Sequence, residues 1–104
     1  MLALGACQSF GPSPACRIDG PPERVPASVG ELRLGMTKQD VERRLGPADY
    51  SPATGIYYFS TGGDCPLGDE GHQASCGVVA EFRAGSIASP DGRLSSCGWG
   101  AIAE

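Results

Sequence analysis

With 104 residues, the chain is long enough for one small domain. Its formal net charge is −4 and the signs are interspersed, which argues against the basic surface that nucleic-acid binding requires. Sixteen Gly and nine Pro limit regular structure, and much of the apolar fraction is Ala, which buries little area. We therefore expect a small hydrophobic core of the kind that usually needs additional cross-links.

The residues Leu4-Gly5-Ala6-Cys7 resemble a lipobox, at which a bacterial signal peptide is cleaved and the new N-terminal Cys is lipidated. Only six residues precede Cys7 and none is basic, whereas a signal peptide has a charged region and an apolar stretch of roughly 7–15 residues. We therefore expect residues 1–7 to be the remnant of a signal peptide whose start lies upstream, with Cys7 as the lipidation site. The alternative is that Met1 is the genuine start and that Cys7 is a free thiol in a cytosolic protein.

Residues 8–27 contain five prolines and no hydrophobic periodicity, which predicts an extended linker before a folded domain at 28–104. Capping-box spacing predicts a one-turn helix over 29–33. A second helix is predicted over 38–45, because Thr37 can cap its first turn and Gly46 can end it.

Three strands are predicted after these helices. A β-favouring run covers 56–59, alternation of apolar and polar residues covers 78–83, and a turn signal precedes 93–99. Residues 61–75 are predicted to form a long loop. The order α-α-β-β-β is an α+β layout in which the helices cover one sheet face.

Gly35-Met36-Thr37, the short amphipathic helix, Leu45-Gly46-Pro47 and the aromatic strand resemble the SmpA/OmlA (BamE-like) family of small outer-membrane lipoproteins, over roughly residues 28–99. The resemblance implies two short helices packed on a three-stranded antiparallel sheet. It also implies an outer-membrane protein that faces the periplasm and stabilises the β-barrel assembly machinery.

Gln8 is consistent with that location, because an Asp after the lipidated Cys commonly retains lipoproteins at the inner membrane. The matching residues Met36, Thr37, Leu45 and Gly46 are framework positions of the family.

Five cysteines are many for a chain of this length, and an odd number leaves one over. With Cys7 set aside, Cys16, Cys65, Cys76 and Cys97 are an even set suited to two disulfide bonds in an oxidising compartment. Three pairings are possible. The favoured pairing is Cys65–Cys76, which would clip a hairpin, with Cys16–Cys97, which would tie the N-terminal arm to the last strand.

Neighbouring aromatic residues suggest a partner surface. Tyr57, Tyr58 and Phe59 cannot all face the helices, because successive side chains of a strand point to opposite sides. If Tyr57 and Val79 share the outer face, they form an exposed apolar patch of the kind that often marks a partner surface. Trp99 either covers the Cys16–Cys97 bond or joins this patch.

Two groups of residues have the chemistry of metal ligands but not the spacing. Cysteine and histidine are ligands that zinc prefers, but their spacing here matches no familiar zinc motif. Three loop acids lack the Asp-x-Asp-x-Asp-Gly spacing of a calcium loop. We therefore expect no catalytic site, no metal and no cofactor. The zinc set would be Cys65, His72, Cys76 and Cys97, and the calcium set would be Asp64, Asp69 and Glu70.

The sequence as a whole predicts a non-enzymatic envelope lipoprotein. It would be held at the membrane by its lipid anchor and would bind another envelope protein, with the barrel-assembly machinery as the partner that the resemblance implies. The alternative is a secreted or periplasmic enzyme inhibitor, because the helix-helix-sheet unit also resembles one half of a β-lactamase-inhibitor protein.

Overall fold

The computed structural model describes residues 13–67, 71–84, 87–88 and 92–102. Within this part of the chain, no helix is long and apolar enough to cross a membrane. The elements in chain order are β1 (Arg17–Ile18), a 3-10 helix (Pro22–Arg24), α1 (Ala27–Gly30), α2 (Lys38–Leu45), β2 (Tyr50–Ala53), β3 (Ile56–Pro66), β4 (Gln73–Glu81), β5 (Arg83–Ala84), β6 (Ile87–Ala88) and β7 (Ser96–Ala101).

The main sheet has five strands in the order β1-β7-β4-β3-β2, while β5 and β6 pair separately. β1 is parallel to β7 and the other neighbours are antiparallel. The predicted three-stranded antiparallel sheet, and with it the order α-α-β-β-β, is therefore wrong. The three predicted strands form the centre as β3, β4 and β7, and each edge carries one further strand. Both edge strands lack a local strand signal, because β1 has only two residues and β2 contains Pro52.

The predicted loop over 61–75 is mostly strand. β3 continues past Gly62 and Gly63, which both have positive φ. The register between β3 and β4 shifts between Ser60 and Asp64, so the glycines form an irregularity of the β-bulge type rather than the end of the strand. Pairing then resumes as far as Pro66 and Gln73.

α2 has the predicted bounds, and its capping box is complete. Thr37 Oγ1 accepts a hydrogen bond from Asp40 N at 3.1 Å, and Asp40 Oδ2 accepts one from Thr37 N at 3.2 Å. The first helix covers Ala27–Gly30 rather than 29–33. Pro26 is its N-cap residue, and no side chain forms a capping hydrogen bond.

The two helices cover one face of the main sheet and enclose the core with it. Val29, Leu32 and Val41 come from the helical layer and are almost fully buried. The sheet contributes Phe59, Val78, Ala80 and Trp99 to the same core.

Two disulfide bonds link the chain over very different distances in sequence. Cys65–Cys76 joins β3 to β4 with a separation of 11 residues, and Cys16–Cys97 joins the residue before β1 to β7 with a separation of 81. These are the two pairs that the sequence analysis favoured, and all four cysteines are buried. The fifth, Cys7, lies outside the described residues.

The N-terminal arm belongs to the folded domain from Pro14 onward. Leu34 N donates a hydrogen bond of 2.9 Å to Pro14 O, and Ala15 forms a bridge with Arg33. β1 and the 3-10 helix follow. Residues 8–27 were expected to form an extended linker, but the part of this range from residue 14 onward carries folded structure.

Candidate functional site

The sheet face opposite the helices, here called the outer face, is organised by one row of paired residues across all five strands. Tyr50 pairs with Tyr58, Tyr58 with Val79, Val79 with Gly98, and Gly98 with Arg17. Because directly paired residues point to the same side of a sheet, these five positions share the outer face.

Aromatic side chains occupy the β2–β3 side of the outer face. The Tyr50 and Tyr58 rings meet edge to face, with centroids 5.7 Å apart and an interplanar angle of 63°. Tyr50 is 45% exposed and Tyr58 is half-buried. Asp49 Oδ2 accepts a hydrogen bond of 2.6 Å from Ser60 N, which helps to hold the start of β2 against β3.

Charged side chains occupy the opposite, β1 side of the outer face. Arg17 Nη1 donates a hydrogen bond of 3.2 Å to Ser96 Oγ, and Arg17 Nε lies 3.7 Å from Asp19 Oδ2. The Arg17 side chain crosses over Gly98, where a Cβ would lie 2.7 Å from Arg17 Nη2. Glycine at this position therefore makes room for the arginine, whose side chain is still 63% exposed.

Of the three predicted surface residues, Val79 alone lies on the outer face. Tyr57 pairs with Ala80 and so points to the helical side, where its ring packs edge to face on Phe82 at 5.9 Å. Tyr57 and Val79 therefore do not share a face. Trp99 is 1% exposed, and its Nε1 donates a hydrogen bond of 3.0 Å to Thr61 Oγ1.

The sequence reasoning missed Tyr50, Tyr58 and Arg17. The burial of Trp99 could have been predicted from the alternation of side chains along a strand. Trp99 lies two positions after Cys97, so the two side chains share the buried face. For Tyr58, the two-residue alternation leaves two equivalent choices, and only the register with β4 decides between them. For Tyr50 and Arg17, no local strand pattern exists.

An open cleft of about 370 Å³ lies beside α2 and the β2–β3 hairpin. Lys38 Nζ lies 2.9 Å from Glu42 Oε2 and 4.6 Å from the centroid of the Tyr57 ring. The hydrogen bond to Glu42 raises the pKa of Lys38. The cleft has both polar and apolar side chains in its walls. Its lining consists of Lys38, Glu42, Pro47, Ala48, Asp49, Tyr50, Ser51 and Tyr57.

The three cysteines of the predicted zinc set have no thiolate that could bind zinc. Cys65, Cys76 and Cys97 are all disulfide-bonded, and His72 is exposed. Of the calcium set, Asp64 is exposed, while residues 69 and 70 lie outside the described part of the chain. Among the described residues, no group of three or more His, Cys, Asp or Glu side chains is placed to hold a metal ion.

Comparison with known proteins identifies no relative of this chain. No family model matches the chain, and no curated protein or solved structure matches it. The resemblance to the SmpA/OmlA family thus stays a prediction from the sequence.

Proposed function

We propose that this protein is an exported lipoprotein, anchored through Cys7 in the outer membrane, whose domain binds another envelope protein and catalyses no reaction. The observation that carries the proposal is the pairing of four of the five cysteines in two buried disulfide bonds. Such bonds persist in oxidising compartments and are rare in the cytosol. The cysteine that they leave over is the one in the lipobox-like sequence Leu4-Gly5-Ala6-Cys7.

The proposed contact surface is the outer face, and its occupant is a folded protein of the same compartment. Tyrosine and arginine are enriched at protein interfaces, because they combine a large contact area with polar groups. Tyr50 and Arg17 are the exposed members at the two sides of this face, and Val79 lies between them.

The barrel-assembly machinery is the narrower proposal for the partner. It rests on the resemblance of residues 35–47 to the SmpA/OmlA family. The sheet does not add to this support, because it has five strands and the family implies three. The enzyme-inhibitor alternative would place a soluble hydrolase on the domain instead.

Membrane attachment is tested by expressing the protein from its chromosomal gene and fractionating the cells. We expect the wild type to pellet with the outer membrane and its Cys7 to carry acyl chains by mass spectrometry. Cys7→Ser should release or misprocess the protein, because stable anchoring needs at least two acyl chains or equivalent signals. Gln8→Asp is the matched control: it keeps the lipid and should move the protein to the inner membrane. A soluble wild type with unmodified Cys7 would contradict the proposal.

Partner binding is tested by affinity capture from detergent-solubilised envelopes. Tyr50→Ala and Arg17→Ala should each reduce the captured protein severalfold. Leu67→Ala should not, and it is a matched control because Leu67 is 43% exposed and lies outside the paired row. Capture of barrel-assembly subunits would support the narrower proposal, whereas capture of a soluble hydrolase would support the inhibitor alternative. Equal capture by all three variants would exclude the outer face as the contact surface.

A further inference from the structure

The N-terminal arm is fixed to the domain at a point close to Cys7 in sequence. Pro14 O accepts the hydrogen bond from Leu34 N, and the next residues form the Ala15–Arg33 bridge and the Cys16–Cys97 bond. This group of contacts defines the tethered end of the domain.

The chain between the proposed anchor and the tethered end is short. Pro14 follows Cys7 by seven residues, so their Cα atoms are at most about 25 Å apart at roughly 3.3–3.6 Å per residue. A linker that ended at residue 27 would have allowed roughly 70 Å by the same measure.

The hairpin of β3 and β4 reaches the end of the sheet that lies opposite the tethered end. β1 and β7 are parallel, so Cys16 and Cys97 lie at the same end, level with Ala80 and Tyr57. β3 then continues from Tyr57 to Pro66, which spans about 30 Å at roughly 3.3 Å per residue. The described residues at this end, 65–66 and 73–76, which adjoin the Cys65–Cys76 bond, are here called the hairpin end.

On the premise of the proposed lipid anchor at Cys7, we propose that the tethered end is a membrane-proximal surface. The occupant of this surface is the bilayer itself, because seven residues cannot carry the tethered end more than about 25 Å from the lipidated sulfur. The hairpin end is directed away from the bilayer. The outer face, which runs between the two ends, is thereby presented to a partner at a limited height above the membrane.

The test attaches the domain to a bilayer chemically. With four cysteines in disulfide bonds, Cys7 is the one thiol left to couple to a maleimide lipid. The full chain would be coupled to nanodiscs of phosphatidylcholine and phosphatidylglycerol that contain a gadolinium-chelating lipid, and NMR would record the broadening of backbone amide signals. We expect amides of residues 15–16 and 33–35 to broaden severalfold more than those of 64–65 and 73–76.

The control inserts about 20 Gly and Ser residues between Ser9 and Phe10, which forms a flexible coil. The gradient from the tethered end to the hairpin end should flatten in this variant. Equal broadening of both ends without the insertion, or stronger broadening of the hairpin end, would overturn the proposal. Because coupling replaces cellular lipidation, this outcome is separate from the fractionation result: cells that leave Cys7 unmodified refute the anchor, not the measured orientation.

Discussion

At the scale of single residues, Thr37 and Asp40 determine where α2 begins. Each uses its side chain to accept a hydrogen bond from the other's backbone N–H, so two first-turn donors are satisfied. Asp40 also accepts a hydrogen bond of 2.7 Å from Arg43 one turn later. The start of the helix therefore depends on a few neighbouring side chains.

Thr37→Ala should lower the free energy of unfolding by roughly 0.5–2 kcal/mol, because it removes the N-cap acceptor. Thr54→Ala is the matched control, since Thr54 is exposed in the turn after β2 and should change stability by less than about 0.5 kcal/mol. Urea unfolding measures both. Equal midpoints for the two variants would show that the cap does not contribute.

The same capping box predicts a pH dependence. Hydrogen bonds from the backbone and hydroxyl of Thr37, with a smaller contribution from Arg43, lower the pKa of Asp40. A carboxyl group whose pKa is lower in the folded state stabilises the fold above its unfolded pKa, and this contribution is lost as the pH falls through the folded pKa. Wild type should therefore melt above Asp40→Asn at about pH 6, and the gap should shrink below about pH 4. A gap that stays constant with pH would contradict this assignment.

At the scale of elements, α2 ends at Gly46, which has an unusual backbone conformation. Gly46 has φ +84° and ψ −176°, a region that residues other than glycine strongly avoid. A Cβ at Gly46 would meet no atom within 4 Å, so any cost of a side chain comes from the backbone and not from crowding.

Gly46→Ala should therefore destabilise the domain by about 1–3 kcal/mol. Gly30→Ala is the matched control, because Gly30 lies in α1 and a Cβ there also meets no atom within 4 Å. It should stabilise the fold by about 0.4–1 kcal/mol through a less flexible unfolded chain. Chemical denaturation of the pair gives the difference, and two changes of the same sign would refute the role of Gly46.

At the scale of the whole molecule, the two disulfide bonds restrict the unfolded chain to different extents. Cys65–Cys76 closes a loop of 11 residues within one hairpin, whereas Cys16–Cys97 joins residues 81 apart and holds β1 beside β7. In the chain-entropy description the stabilisation grows with loop length, to about 3 kcal/mol for the first and about 4.5 kcal/mol for the second.

Replacing both cysteines of a pair by Ser should therefore lower the melting temperature more for Cys16 and Cys97 than for Cys65 and Cys76. Each drop should be several degrees or more, because one kcal/mol corresponds to roughly 4–8 °C in a domain of this size. Calorimetry of the two double variants gives the ranking. The reverse order would show that packing of the hairpin matters more than loop closure.

The sequence alone determined the features that depend on residues close together in the chain. The bounds of α2 follow from Thr37, Asp40 and Gly46, which all act within the helix or directly beside it. The favoured disulfide pairs agree with the structure, although the sequence left three pairings open and Cys16 and Cys97 are 81 residues apart.

Only the tertiary structure decided how the strands combine. β1 and β2 exist because neighbouring strands supply their hydrogen-bond partners, and neither has enough residues of its own to signal a strand. The outer face carries Tyr58 rather than Tyr57, because the register with β4 pairs Tyr58 with Val79. A shift of one residue would reverse every side chain of the strand, and the alternating pattern of β3 contains no information on that choice. The candidate site therefore depended on contacts between residues far apart in sequence.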